Sequence, residues 1–176
     1  MTVHPDLRST SPAARPASPD LLRSAFRHHA AGVAVITASG ARPAGFTATS
    51  LTSVSADPPM VSFGVGTGSS SWPVLAEAAH IGVHVLRDDQ RELAATFARS
   101  GADRFAPPTR WRTGPHGVPV LEGVLAWLVC RVAALVPAGD HRLVLAEAVA
   151  GGVADDPDGG PLVYHQGRFH TLPPAS

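Results

Sequence analysis

The sequence predicts a mostly β protein in which antiparallel strands form a barrel and helices enter as short inserts. Three observations predict it. Runs rich in β-branched and hydroxyl residues recur along the chain, each closed by a Gly, Pro or Ser cluster. Two of these runs, near Gly123–Val136 and Arg142–Val153, are long and are separated by a Gly139-Asp140 turn signal. Only three segments carry apolar residues at helical spacing, and none of them is long.

Each element follows from local composition. Residues 1–17, interrupted by Pro5, Pro12 and Pro16 and poor in apolar anchors, are expected to form a disordered tail, leaving residues 18–176 as the folded domain. Ser18 caps a helix that starts at Pro19, carries Leu21, Leu22, Ala25 and Phe26 on one face and runs to about Ala30. Val33, Val35, Ile36 and Thr37 make a strand that stops at the Ser39–Pro43 turn. A second strand is expected over Gly45–Val54, and Pro58-Pro59 separates it from a third at Met60–Val65. One of Ser69, Ser70 and Ser71 is expected to cap a short helix with Val74, Leu75 and Ala78. His80–Leu86 reads as a strand, and Asp88 or Asp89 opens an amphipathic helix presenting Leu93, Ala94 and Phe97. Ser100–Pro119 reads as largely irregular, a length of loop that often serves function. The two long strands follow, and a Gln166-Gly167 turn joins a last short pair, Leu162–His165 and Arg168–Leu172.

At 176 residues and 18.2 kDa the chain fits one domain. Its 14 basic and 14 acidic residues cancel, so no net field attracts nucleic acid or an acidic membrane surface. All the basic residues are arginines, which excludes chemistry built on a lysine amine, such as a Walker phosphate loop, a kinase strand lysine or a Schiff base. Cys130 is the only cysteine and rules out an intrachain disulfide, a cysteine-rich zinc site and a protein-held iron-sulfur cluster. The longest apolar run, Val124–Cys130, falls far short of the roughly 20 residues of a membrane-spanning helix, and the N-terminus lacks a signal-peptide core. A cytoplasmic protein is expected.

Three signals invite a functional reading. Nine histidines suggest a metal, but His80 and His84 lie on an expected strand, where four positions span roughly 13 Å, and His28-His29 and the His165, His170 pair are no better spaced. No metal is expected. Gly64, Gly66 and Gly68 before three serines suit either a phosphate cradle or a plain Gly-Ser turn with a helix cap. The hydroxyl-rich stretch Thr47–Ser55 suits either a solvated strand face or a row of donors for a polar ring system.

Taken together and in order, these residues resemble the flavin reductase family with the FMN-binding split-barrel fold, the reductase components of two-component flavin monooxygenases. The resemblance rests on Ala31-Gly32-Val33, on Thr47-Ala48-Thr49-Ser50 and Ser53-Val54-Ser55-Ala56-Asp57-Pro58-Pro59, and on Ser69–Ser71. Farther on it rests on Asp103-Arg104-Phe105, on Gly139-Asp140-His141, and on Pro161-Leu162 with Tyr164, Gly167 and Phe169. It implies an antiparallel split β-barrel that forms a homodimer, binds FMN or FAD, and takes hydride from NADH or NADPH.

Carried over by position, the resemblance implies that Thr47, Ala48, Thr49 and Ser50 line the isoalloxazine ring, with Ser53, Val54 and Ser55 nearby. Ser69, Ser70 and Ser71 would meet the phosphate, together with Arg104 and Phe105, where the family usually has Asp-Lys-Phe. His141 would sit beside the nicotinamide as the catalytic residue. The chain departs from the family at Ala146-Glu147-Ala148, commonly Gly-Glu-Val, and at His29, commonly Phe. Two function classes follow: a reductase that supplies reduced flavin to a separate oxygenase, or a flavin-binding split-barrel protein without reductase activity.

Overall fold

The computed structural model describes residues 12–155 and 159–172. Most of the expected 1–17 tail therefore lies outside the described residues, and residues 12–17 are exposed without regular structure. Helix α1 (Pro19–Phe26) starts as expected, with Ser18 Oγ accepting from Leu21 N at 3.1 Å. It ends four residues early, because the N–H groups of His28 and His29 turn back to Ala25 O and Phe26 O before the chain enters strand β1 (Ala31–Gly32). None of its residues is buried; Leu22 and Phe26 are 61% and 63% exposed, so the apolar face read from the sequence meets no part of this chain's core.

The body is a seven-stranded antiparallel sheet. In chain order its strands are β2 (Ala34–Ala38), β3 (Ala44–Ala48), β4 (Thr52–Ala56), β5 (Pro59–Gly66), β6 (His80–Val85), β9 (Ala126–Ala138) and β10 (His141–Val153). Their spatial order is β3-β2-β6-β9-β10-β5-β4. The sheet curls on itself: Phe46 of β3, at one edge, meets Phe63 of β5, next to the other edge, at a ring separation of 6.1 Å. Ile36, Ala48, Phe63, Val83, Cys130 and Val144, from six different strands, form one buried cluster inside the curl. Burying a side chain of such size contributes roughly 1.5–3 kcal/mol, which holds the barrel closed. The Cys130 thiol lies in this core, where burial pushes its pKa up to about 11.

Helix α2 (Trp72–Glu77) and helix α3 (Arg91–Ala98) are inserts on this barrel. Phe97 and Ala94 of α3 join Val33, Val35, Leu86, Leu121 and Leu162 in a second buried cluster. The remaining strands are the pair β7 (Trp111–Thr113) and β8 (Pro119–Leu121) and the hairpin β11 (Val163–His165) and β12 (Arg168–His170), which extends β1. The hairpin turn places Gln166 and Gly167 at φ 51° and 80°, the left-handed pair that a two-residue turn demands.

Three expectations need correction. The single strand over Gly45–Val54 is two strands at opposite edges of the sheet, broken at Thr49–Leu51. There Ser50 Oγ accepts the Gly64 N–H at 2.9 Å, so a side chain takes the place of a ladder bond. Neither Asp88 nor Asp89 caps α3: Asp88 accepts from Gly160 N, Asp89 pairs with Arg87, and Gln90 occupies the cap position. The irregular stretch is shorter than expected, since β7 and a 3₁₀ turn at Pro115–Gly117 lie within it.

Candidate functional site

The serine run begins where β5 ends. Gly66 leads into a tight turn in which Ser69 N bonds Gly66 O and Trp72 N bonds Ser69 O, so Ser69–Ser71 form the entry to α2. Ser71 stands at the cap position, yet its hydroxyl does not cap; it is buried and donates to Gly45 O at 2.7 Å, fixing the run to β3. Ser69 Oγ accepts from Ser71 N at 3.3 Å.

Arg104 reaches this run from the loop after α3. Its Nη1 lies 3.3 Å from Ser70 Oγ and 3.2 Å from Ser71 Oγ, and its Nη2 donates to Arg99 O at 2.7 Å. Its Nε is buried without a hydrogen-bond partner, and burial pushes the guanidinium below its ordinary pKa. A half-buried guanidinium held beside two hydroxyls has the chemistry to receive an anion. A cavity of about 300 Å³ opens here, lined by Phe46, Thr47, Ser69, Ser70, Phe97 and Arg104 among others.

From the cradle a line of contacts leads to His141. Thr67 N and Thr67 Oγ1 both donate to Asp140 O at 3.0 Å, joining the serine turn to the turn between β9 and β10. The next residue, His141, opens β10 opposite Gly66, and its Nδ1–H donates to the Asp140 carboxylate at 2.7 Å. That hydrogen bond from the His141 ring holds Asp140 below the usual carboxylate range. Because Nδ1 is occupied, Nε2 is the ring nitrogen left for a ligand. It lies 3.5 Å from where a Cβ on Gly66 would stand, and Cδ2 lies 4.0 Å from one on Gly64. A Cβ at either position would stand in ordinary van der Waals contact with the ring, so the imidazole lies over both glycines. Ser50 Oγ flanks the same Gly64 from the other side, 3.6 Å from that virtual Cβ. His141 and Ser50 therefore both lie against Gly64, with the cradle beyond Thr67.

The other sequence candidates are distributed differently. Thr47 lines the cavity, but its hydroxyl donates to Ala94 O at 2.6 Å and anchors α3. Ala48 is buried in the barrel core, and Thr49 is exposed beside Ser50. Ser53 and Ser55 pair with Val61 and Met60 on the edge strand β4, toward the end of β5 remote from Gly66, with Val54 exposed at a bulge between them. Phe105 stacks edge-on against Phe97 and Trp111 at 5.3 and 5.4 Å, walling the far side of the Arg104 loop. Sequence reasoning missed Thr67 and Asp140; Asp140 reads locally as a turn residue only, and nothing near Thr67 marks it. His84 is buried in β6 with Nδ1–H on Val35 O, whereas His80 stacks on His116 at 3.9 Å. Among the described residues no group of three or more His, Cys, Asp or Glu is arranged to hold a metal.

Comparisons with known proteins bear on this geometry. The profile of the flavin reductase like domain matches residues 26–173. The chain is 43% identical over 155 residues to an NADH:FMN oxidoreductase of Rhodococcus qingshengii, covering 86% of this chain and 81% of the relative. A flavin reductase domain protein of Arthrobacter sp. FB24 has a similar crystal structure, with TM-score 0.82 and 42% identity over 89% of this chain and 97% of the other. BorF, the flavin reductase component of a bacterial two-component tryptophan halogenase, superposes with TM-score 0.81 and 34% identity, covering 90% and 100% of the two chains.

Proposed function

The chain belongs to the flavin reductase-like family, and from that premise we propose that it catalyses NAD(P)H-dependent reduction of FMN or FAD and supplies the reduced flavin to a separate monooxygenase. The observation that carries this reading is the line from the Arg104–serine cradle through Thr67 and Asp140 to His141, whose ring lies over Gly64 and Gly66. The name of the Rhodococcus relative, an NADH:FMN oxidoreductase, favours a reductase over a passive flavin carrier. BorF's role as one component of a two-component system favours a separate oxygenase.

When bound, flavin accepts the hydride of the reduced nicotinamide, so the protein needs no acid or base of its own for that step. Its residues bind, orient and keep water out. Arg104, Ser70 and the backbone of the serine turn hold the phosphate, and Ser50 with its neighbours bounds the ring. Nε2 of His141 accepts from the carboxamide N–H of the nicotinamide and sets its angle to the flavin. Glycines at 64 and 66 give the His141 ring room to lie against the strand.

We assign the active form to a homodimer. On the outer face of the two long strands Leu143 pairs with Val136, and with Val149 they are 38%, 41% and 43% exposed, an apolar stripe suited to a second copy of the chain. Cys130 is buried, so redox conditions should not change the assembly. A cytoplasmic location is in keeping with one buried thiol and with the absence, among the described residues, of any helix long and apolar enough to cross a membrane.

The experiment is an anaerobic titration of the purified protein with NADH or NADPH in the presence of FMN, FAD or riboflavin. Loss of the oxidised-flavin absorbance is expected. Flavin binding without any loss of absorbance would leave only the non-reductase reading. Sedimentation with flavin present is expected to give a dimer, and a monomer would remove that assignment.

A further inference from the structure

Strands β7 and β8 form a sheet of their own, separate from the other two. Ile81 and Val83 of β6 belong to the barrel cluster, so Gly82 between them faces the other way, toward β8. A Cβ on Gly82 would meet Thr37 Oγ1 and stand 3.1 Å from Pro119 O, and the bare position lets β8 come this close. There β8 is fixed: Thr37 Oγ1 donates to Pro119 O at 2.6 Å, and Val118, Val120 and Leu121 are buried. All three residues of β7 are exposed. Between the two strands the Pro115–Gly117 turn reaches back to the start of β6, where the His116 ring lies flat on the His80 ring, with centroids 3.9 Å apart and planes within 3°. Ser39 Oγ also holds the turn, donating to Gly117 O at 2.6 Å. His116 sits at φ 55°, a left-handed conformation that an L-residue adopts at a cost, which the ring contact offsets.

Parallel imidazoles at this distance pack well when neutral and repel when both are protonated, because like charges about 4 Å apart then face each other. The surroundings favour the neutral pair. Arg131 of β9 stands opposite His80, and its charge is shared with Glu147 of β10. Strand β2 offers only the hydroxyls of Thr37 and Ser39, Arg112 of β7 lies over the Trp127 ring, and Glu77 at the end of α2 is exposed. His84, farther along β6, is buried, with its Nδ1 on Val35 O. Among the described residues neither stacked ring has a hydrogen bond or an ion pair that would steady a proton on it. Burial, and after it the neighbouring His116 and Arg131, hold His80 below the ordinary histidine value of 6.5. The ring contact therefore contributes fully above about pH 6.5 and is lost below it, as the open turn takes up protons that the closed one resists. We propose that the His80–His116 stack is an acid-released clasp: neutral rings hold the Pro115–Gly117 turn on β6, and protonation frees the turn and β7 while β8 stays in place. The device is independent of the reductase reading. Its reach is set by β7, whose first residue, Trp111, donates its Nε1–H to Phe105 O beside Arg104, so the freed segment is the one that joins the Arg104 loop to the barrel.

Nuclear magnetic resonance on the full chain reads the clasp directly. Ring protons of His80 and His116 are expected to show a mutual Overhauser effect at about pH 7.5 and to lose it at about pH 5, while the contact between Phe46 and Phe63 inside the barrel persists at both. His80→Phe leaves one titrating ring on an apolar one, and a protonated imidazole is attracted to a phenyl face, so this variant should keep its ring contact at about pH 5. His116→Asn suits the left-handed turn and removes the ring without touching β6; its Gly117 amide should show at about pH 7.5 the chemical shift that wild type reaches only at about pH 5. Survival of the wild-type contact in acid, or its equal loss in His80→Phe, would overturn the clasp. A Gly117 amide in His116→Asn that still steps with pH as in wild type would do so too. Loss of the Phe46–Phe63 contact together with the histidine contact would also overturn it, by making the change an unfolding of the barrel.

Discussion

Thr67 is bound twice to Asp140, through its amide and its hydroxyl, and both bonds end on the same carbonyl oxygen at 3.0 Å. This ties the serine turn to the residue whose carboxylate orients His141. Thr67→Val keeps the amide bond and the shape but loses the hydroxyl bond, a net loss of about 1 kcal/mol. The variant should bind FMN roughly fivefold more weakly and raise the NADH KM, while Thr67→Ser stays close to wild type. Fluorescence titration of FMN and steady-state kinetics on the three proteins check this; identical behaviour of the Val and Ser variants would show that the hydroxyl bond has no part in positioning.

His141→Ala removes an orienting contact and no proton donor. The expected outcome is a NADH KM raised about tenfold and a slower flavin reduction, with the flavin dissociation constant within about twofold of wild type. Stopped-flow reduction at saturating flavin measures both effects, and unchanged kinetics would remove the role assigned to His141.

Arg104→Ala should separate phosphorylated from unphosphorylated flavin. A hydrogen-bonded charge on phosphate is worth about 2 kcal/mol, so FMN should weaken about thirtyfold while riboflavin changes by less than about threefold. Arg104→Lys should restore much of the FMN affinity. Parallel losses for both flavins would mean that the guanidinium serves the Ser70, Ser71 and Arg99 contacts alone.

His84 gives the protein an acid sensitivity. Burial pushes its pKa down from 6.5 to about 4, so the folded state holds it neutral where the unfolded chain would be protonated. Above about pH 6.5 neither state carries the proton and the full stability is present. Between there and pH 4 only the unfolded state binds it, so stability falls with falling pH, by roughly 3 kcal/mol at the lower end. His84→Asn keeps an N–H for Val35 O and removes the titration. Urea unfolding at several pH values should show a flatter pH dependence in the variant, and parallel curves would assign the acid sensitivity to other groups.

Much of the barrel was legible because strand composition and turn residues agree: Val33–Thr37, Met60–Val65 and the Gln166-Gly167 hairpin stand where their sequences put them. The break at Thr49–Leu51 was not legible, since Thr and Ser suit a strand as well as a loop and the deciding bond, Gly64 N to Ser50, joins residues 14 positions apart. The same distance problem hid Thr67, whose partner lies 73 positions away. The meeting of Arg104 with Ser70 and Ser71 was expected from the ordered motifs and not from any local signal. The early end of α1 and its exposed face were invisible for another reason: periodicity reports an apolar stripe but not what covers it.

The break at Thr49–Leu51 also bears on how the molecule assembles. The β9–β10 hairpin, closed by a short turn, is the longest pairing in the large sheet, and strands add outward from it in two directions, through β6, β2 and β3 on one side and β5 and β4 on the other. Since β3 and β4 are the two outermost strands and only three residues apart in sequence, the two advancing fronts are tied by a short tether, and the entropy of bringing them together is small. The tether is also the segment that bounds the flavin ring in the proposed site. Assembly of the sheet and completion of that site thus become a single event, so a chain with unpaired edges has no finished surface on which to capture flavin.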